Sequence, residues 1–262
     1  MIIDAHAHIF PDKIVEKAAA GIGKFYDIIM DCDGTVGSLL KICDTAGVDR
    51  CIVQSVATIP AQVQSINNFI AESVQQHPDR LIGFGALHPD YEDIEGEVQR
   101  IVSLGLRGIK LHPDFQRFQI DEEKAFPMYE AASREGLPVL FHAGDYRYDF
   151  SGPKRLLNVA RTFPKMKMIG AHFAGWSQWD EAAEVFAEHR IYVDLSSSLY
   201  NMTAERAAEL IHVFGADRVL FGSDYPMWSA KDELERFYAI PLTDEERELI
   251  LYKNALRLLG EE

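Results

Sequence analysis

The chain has 262 residues, 47% of them hydrophobic and 26% charged, an ordinary globular composition that excludes a disordered, collagen-like or disulfide-dense protein. Its 41 acidic and 26 basic side chains leave a formal charge of −15 at pH 7, which disfavours nucleic acid or an anionic membrane surface as a partner. Cys32, Cys43 and Cys51 form no C-x-x-C pair, no run approaches the roughly 18–20 apolar residues of a membrane span, and the Met1-Ile2-Ile3-Asp4-Ala5-His6 start lacks a basic leader, so a soluble, cytoplasmic chain without a disulfide framework is expected.

In chain order, short runs rich in Val, Ile, Leu and Phe alternate with longer amphipathic stretches, the pattern of buried strands followed by helices. Strands are expected at residues 2–8, 51–56, 81–87, 108–112, 138–142, 168–172, 191–196 and 219–224. Helical patterns fall at 36–46, 61–76, 122–135, 153–162, 181–188 and 204–214. Gly47, Gly105, Gly136 and Gly215 stand where left-handed helix caps are wanted, and Pro78, Pro138 and Pro164 punctuate the connections. The last helix opens on Thr243-Asp244-Glu245-Glu246, a capping-box spacing, and carries Leu249, Ile250, Leu256 and Leu259 on its apolar side.

Expected strand ends lie at His8, Val56, Leu87, His112, His142, His172, Ser196 and Asp224, and the last six intervals average 28 residues. A (β/α)8 unit takes one-eighth of about 250 residues, so the spacing predicts an α/β chain folded as a TIM barrel. No linker or low-complexity tract divides the series, and one domain over residues 1–262 is expected. An open doubly wound sheet is the alternative, but no phosphate-binding glycine fingerprint follows the first strand.

Nine histidines are present, and His6, His8, His88, His112, His142 and His172 fall at or just past strand C-termini. Even scattering would put roughly one of the nine there. Alternate strand residues share a face, so His6 and His8 present two nitrogens side by side. Imidazole pairs suit zinc, with other divalent metals accommodated. His142 and Asp224 would complete a shell that leaves room for water, as a catalytic site requires. Taken singly, each has a structural explanation: incidental histidines near an N-terminus, a hydrogen-bonded core imidazole, a helix-capping aspartate. Together they point to chemistry, because folding alone does not call for imidazole at several strand ends.

Asp4-Ala5-His6-Ala7-His8, Gly108-Ile109-Lys110-Leu111-His112-Pro113, His142, Gly170-Ala171-His172 and Phe221-Gly222-Ser223-Asp224-Tyr225-Pro226 resemble the amidohydrolase superfamily, and within it the amidohydrolase-related branch of metal-dependent hydrolases and non-oxidative decarboxylases such as aminocarboxymuconate-semialdehyde decarboxylase. The likeness runs from residue 2 to Gly260. It implies a distorted barrel with a divalent metal, zinc before manganese and one ion rather than two, held by His6, His8, His142 and Asp224. It also implies His172 as an acid or base. Lys110 would bridge two metals as a carbamate, attract a substrate carboxylate or simply pair with a nearby acid, while His112 lines the pocket or ends its strand. Relatives are often dimers, which implies a homodimer as one assembly.

With these parts the main reading is hydrolysis of a small-molecule amide, ester or lactone, Asp224 accepting the proton of a metal-acidified water and His172 stabilising the carbonyl oxygen. The alternative is non-oxidative decarboxylation of an unsaturated or aromatic carboxylate, a carbon–carbon lyase reaction. A collar of Phe115, Phe118, Tyr146, Tyr148, Trp176, Trp179, Tyr200, Tyr225 and Trp228 would stack a planar substrate or pack loop on loop, with Arg117 or Arg147 for a carboxylate. A nuclease of the same superfamily and a metal-binding barrel without catalysis are the readings from other classes.

Overall fold

The computed structural model describes residues 1–261 and places the eight expected strands in one parallel sheet whose order follows the chain. They are β1 (Ile3–His8), β2 (Arg50–Gln54), β3 (Leu81–Ala86), β4 (Gly108–Leu111), β5 (Val139–Phe141), β6 (Met168–Gly170), β7 (Tyr192–Asp194) and β8 (Val219–Leu220). The Ala5 amide donates to the Phe221 carbonyl at 2.8 Å, that of Asp224 to His6 at 2.7 Å and that of His8 to Tyr225 at 2.6 Å. These bonds join the last strand to the first and close a (β/α)8 barrel.

Most strands stop short of the expected ends because the rim residues leave extended pairing. His172, Phe173 and Ala174 form a left-handed turn with φ of 59°, 53° and 58°, and Asp224 has φ 62°. Such backbone costs a non-glycine residue roughly 1–2 kcal/mol and persists where surroundings hold it.

Helices α1 (Val15–Tyr26), α2 (Val36–Ala46), α3 (Val63–Gln76) and α4 (Ile94–Ser103) are followed by Phe126–Arg134, Pro153–Thr162, Trp179–Phe186, Ala204–Phe214 and Ala230–Tyr238. Three of them keep the expected bounds. The stretches 61–76 and 122–135 instead begin as the 3-10 turns Pro60–Gln62 and Glu123–Ala125, and 181–188 shifts to Trp179–Phe186. Outside those stretches lie α1, Ala230–Tyr238, the short helix Pro113–Gln116 and α4, which runs up to the expected cap at Gly105 with φ 78°. Gly47 takes φ 74° and its amide donates to the Cys43 carbonyl, and Thr243 and Glu246 form the reciprocal capping box. All three cysteines are free. Among the described residues no helix is long and apolar enough to cross a membrane.

The interior is filled by Ile52, Ile82, Phe84, Leu140, Ile169 and Leu220, while a second core lies between strands and helices. The C-terminal helix covers the floor: Leu258 and Leu259 join the inner cluster, and Arg107 and Lys167, which precede β4 and β6, donate to the Leu259 and Leu258 carbonyls. The register of β1 against β2 shifts between Asp4 and Ala7. Consequently Ile3 and Ala5 belong to the inner core, whereas His6 and His8, one residue out of step, line a cavity at the mouth.

Candidate metal centre and active site

His6 and His8 leave β1 with their Nε2 atoms 3.2 Å apart. Asp224, after β8, brings Oδ1 to 3.3 Å from His6 Nε2 and 3.5 Å from His8 Nε2. Metal bonds of about 2.0–2.2 Å give ligand–ligand edges of roughly 3.0–3.5 Å, so the three donors fit one divalent ion. Two bonds prepare them. His6 Nδ1 lies 2.9 Å from Asp194 Oδ2 and donates to it, which turns the lone pair of Nε2 toward His8 and Asp224. Ser197 donates to Asp224 Oδ2 at 2.6 Å and accepts from Trp228 Nε1 at 3.0 Å.

Asp194 is held as firmly as it holds. Its Oδ1 accepts from the His172 and Ser196 amides, each at 3.0 Å. His172 Nδ1 donates to the Ser196 carbonyl at 2.8 Å, leaving Nε2 to meet His142 Nδ1 at 3.1 Å. His142 therefore faces His172 with one nitrogen; the other lies 3.5 Å from Asp114 Oδ2. It is not among the three atoms that converge, and together with His112 and Asp114 it forms a separate close cluster. Its ring is sandwiched on that of His112, centroids 4.0 Å apart and 5° from parallel, and His112 in turn stacks on Phe115 at 3.8 Å.

Lys110 points into the same space, its Nζ 3.1 Å from His6 Nε2, and is 1% exposed. Burial lowers its pKa, opposed by the charges of Asp224 and Asp194. Burial likewise raises the Asp224 carboxyl, opposed by the Ser197 bond and Lys110. It lowers His6, His8, His112 and His142 well below the ordinary imidazole range and His172 to about 4. Neutral imidazoles are the form that ligates a cation.

These residues share one cavity of about 950 Å³, which runs outward between α1 and α3 past Ile22, Phe25, Ile66 and Phe69. His6, His8, Lys110, His112, His142, His172 and Asp224 all line it. His88 does not; its Nδ1 accepts from the Asp90 amide. Of the expected aromatic collar, Phe115 and Trp176 line the cavity, while Phe118 is buried in the core, Tyr146 is exposed and Tyr225 bonds the Thr35 carbonyl. Arg117 is exposed and lines no part of the cavity. Arg147 is occupied by Asp145, whose Oδ2 it approaches to 2.7 Å. Sequence reasoning passed over Asp194, read only as strand interior, and Tyr26, on the unexpected α1, whose Oη lies 2.9 Å from His112 Nε2 and 3.5 Å from His142 Nε2.

A family model described as amidohydrolase matches residues 3–260. The chain is 31% identical over 174 residues to a 2-amino-3-carboxymuconate-6-semialdehyde decarboxylase of Dictyostelium discoideum, an alignment covering 53% of this chain and 48% of that one. It thus spans about half the length of this curated relative. Among solved structures, an uncharacterised TIM-barrel protein of Bordetella bronchiseptica superposes with TM-score 0.79 at 22% identity, over 99% of this chain and 98% of that chain. A dihydroxybenzoic acid decarboxylase of Polaromonas sp. JS666, with bound manganese and the inhibitor 2-nitroresorcinol, superposes with TM-score 0.76 at 18% identity over 99% and 96% of the two chains. At these identities the structural likeness shows the fold.

Proposed function

The chain belongs to the amidohydrolase family, and on that premise we propose that it is a metal-dependent, non-oxidative decarboxylase of an unsaturated or aromatic carboxylate, with residues 1–262 acting as one catalytic domain. The observation that carries this choice over hydrolysis is Lys110, a buried amine beside the metal cluster that makes no ion pair with a carboxylate among the described residues. The charges of Asp224 and Asp194 act on this amine without contact, and a substrate carboxylate would supply the contacting partner that a neutral amide or ester would not. The amoebal and Polaromonas decarboxylases support the same reading.

We assign the cation to His6, His8 and Asp224, with His142 as the fourth donor that the sequence motifs imply. Bound there, one zinc or manganese ion would supply Lewis acidity toward the substrate's oxygens. Lys110 pairs with the carboxylate. Phe115 and Trp176 flank the planar body and exclude water. The bond from carbon to carboxylate breaks, its electrons stay on the substrate carbon, and a proton taken from water and passed on by His172 replaces carbon dioxide there.

The test is a release assay on protein loaded with manganese or zinc. 2,6-Dihydroxybenzoate, 5-carboxyvanillate and 2-amino-3-carboxymuconate 6-semialdehyde are offered beside ester, lactone and amide panels. Carbon dioxide from at least one acid is expected. Hydrolysis without carbon dioxide would install the hydrolytic reading instead, and native, metal-loaded protein inert on every compound would overturn both.

A further inference from the structure

Helix α1 is an addition to the strand–helix alternation, since α2 already links β1 to β2, and its last turn lies over the barrel mouth. Arg147, from the segment after β5, fixes that turn. Its Nη1 donates to the Phe25 carbonyl at 2.7 Å, and its guanidinium lies over the rings of Phe25 at 4.9 Å and Tyr26 at 5.5 Å. Asp145 holds the other edge of the fork, with Nε at 2.9 Å from Oδ1 and Nη2 at 2.7 Å from Oδ2. The Tyr26 ring is further braced edge-on against Trp176 at 5.2 Å.

So held, the Tyr26 hydroxyl reaches the cavity beside His112 and His142. The direction of the His112 bond follows from its other nitrogen, because His112 Nδ1 is buried without a partner. A buried N–H left unpaired is rarer than an unpaired acceptor, so Nδ1 carries the lone pair and Nε2–H donates to the Tyr26 oxygen. The phenol proton is then left only the long 3.5 Å contact with His142 Nε2, a weak competitor for an acceptor that enters the cavity.

We propose that Tyr26 is a substrate-contacting residue, a neutral phenol that donates a hydrogen bond to an oxygen of the bound carboxylate, and that Arg147 is its positioning residue. The assignment rests on the decarboxylase reading, and it gives that site a specificity element: substrates with an oxygen acceptor toward the His112 side are preferred. Arg147, which looks from sequence like a carboxylate receptor, serves instead as a latch on the helix that delivers the phenol.

Two readouts separate this inference from the reading beneath it. Turnover of the acid panel tests the decarboxylase reading. Calorimetric binding of 2-nitroresorcinol to manganese-loaded holoenzyme tests Tyr26 without requiring turnover. Tyr26→Phe keeps the ring and its packing and is expected to weaken binding about 10-fold, the size of one lost hydrogen bond in a dry site. Arg147→Lys keeps a charge for Asp145 but loses the fork that also spans to the Phe25 carbonyl, and should weaken binding to a similar extent. The double variant should bind within 2-fold of Tyr26→Phe alone, because both changes remove the same contact. Binding by Tyr26→Phe within 2-fold of wild type, multiplicative losses in the double variant, or wild-type protein that does not bind the probe would each overturn the proposal.

Discussion

Replacing Asp194 by Asn tests the candidate metal centre without touching any of the side chains assigned to the ion. Two orientations of the new amide are available. If its oxygen faces His6 Nδ1, its NH2 group meets the His172 and Ser196 amides, both donors at 3.0 Å from the present Oδ1, and two buried N–H groups lose their acceptor at about 1–3 kcal/mol each. If the NH2 group faces His6, at the 2.9 Å position of Oδ2, the imidazole must shift its proton to Nε2 to avoid opposing donors. The second arrangement costs less, and it aims an N–H at His8 and Asp224 where a lone pair stood. Loss of such an orienting partner typically weakens metal affinity 10- to 100-fold, about 1.4–2.7 kcal/mol. Calorimetric titration of metal-free protein with zinc or manganese, with metal content after dialysis and a thermal melt as the fold control, measures it. A natively folded Asn variant that binds the ion with wild-type affinity would refute the argument that Asp194 sets the His6 tautomer.

Asp224→Asn should abolish turnover while far-UV circular dichroism is unchanged, and retained turnover would remove Asp224 from the mechanism. Glu233, on the helix Ala230–Tyr238, is buried and pairs with Arg236 through Oε1, but its Oε2 has no partner, and burial raises its carboxyl to about 7. The folded-state value lies above the unfolded one, so its stabilising neutral form is complete below about pH 4.5 and lost as pH rises through about 7. Glu233→Gln should therefore raise stability at pH 8 by up to about 3 kcal/mol and leave it nearly unchanged at pH 4.5, read by denaturant unfolding at both values; an equal effect at both would contradict the assignment. Gly108→Ala would put a methyl 2.5 Å from Cζ of the fully buried Phe84, so the variant should lose about 1–3 kcal/mol in the same unfolding assay, and an unaltered midpoint would show the ring free to move.

The strands were legible because each is a short apolar run ended by a polar or glycine residue, and the pattern is insensitive to where pairing stops. The ends were not, because His172 and Asp224 sit on backbone with φ of 59° and 62°, which no hydrophobic periodicity encodes. Helix α1 escaped notice because Gly21 and Gly23 fall inside it, residues that lower helix propensity and read as breaks between elements. With it went Tyr26, an aromatic whose meaning comes from a histidine 86 positions away. Motif spacing put His6, His8, Lys110 and Asp224 on one rim, and they share one cavity in the structure. Asp194 carries no such signal: a carboxylate within a strand reads as ordinary until its neighbours in space are known. The two arginines mark the opposite limit, since their place in loops after the rim strands offered them to the substrate and only geometry shows Arg147 committed to Asp145 and Phe25.

The register shift in β1 has a bearing on how this barrel can change over evolutionary time. Six residues serve two ends of the molecule, the first half filling its floor and the second furnishing its imidazoles. Point substitutions within them degrade one role at a time. An insertion or deletion between Ile3 and His6 would exchange the orientations of alanine and histidine in a single step, so lineages carrying this segment are expected to vary its letters far more readily than its length.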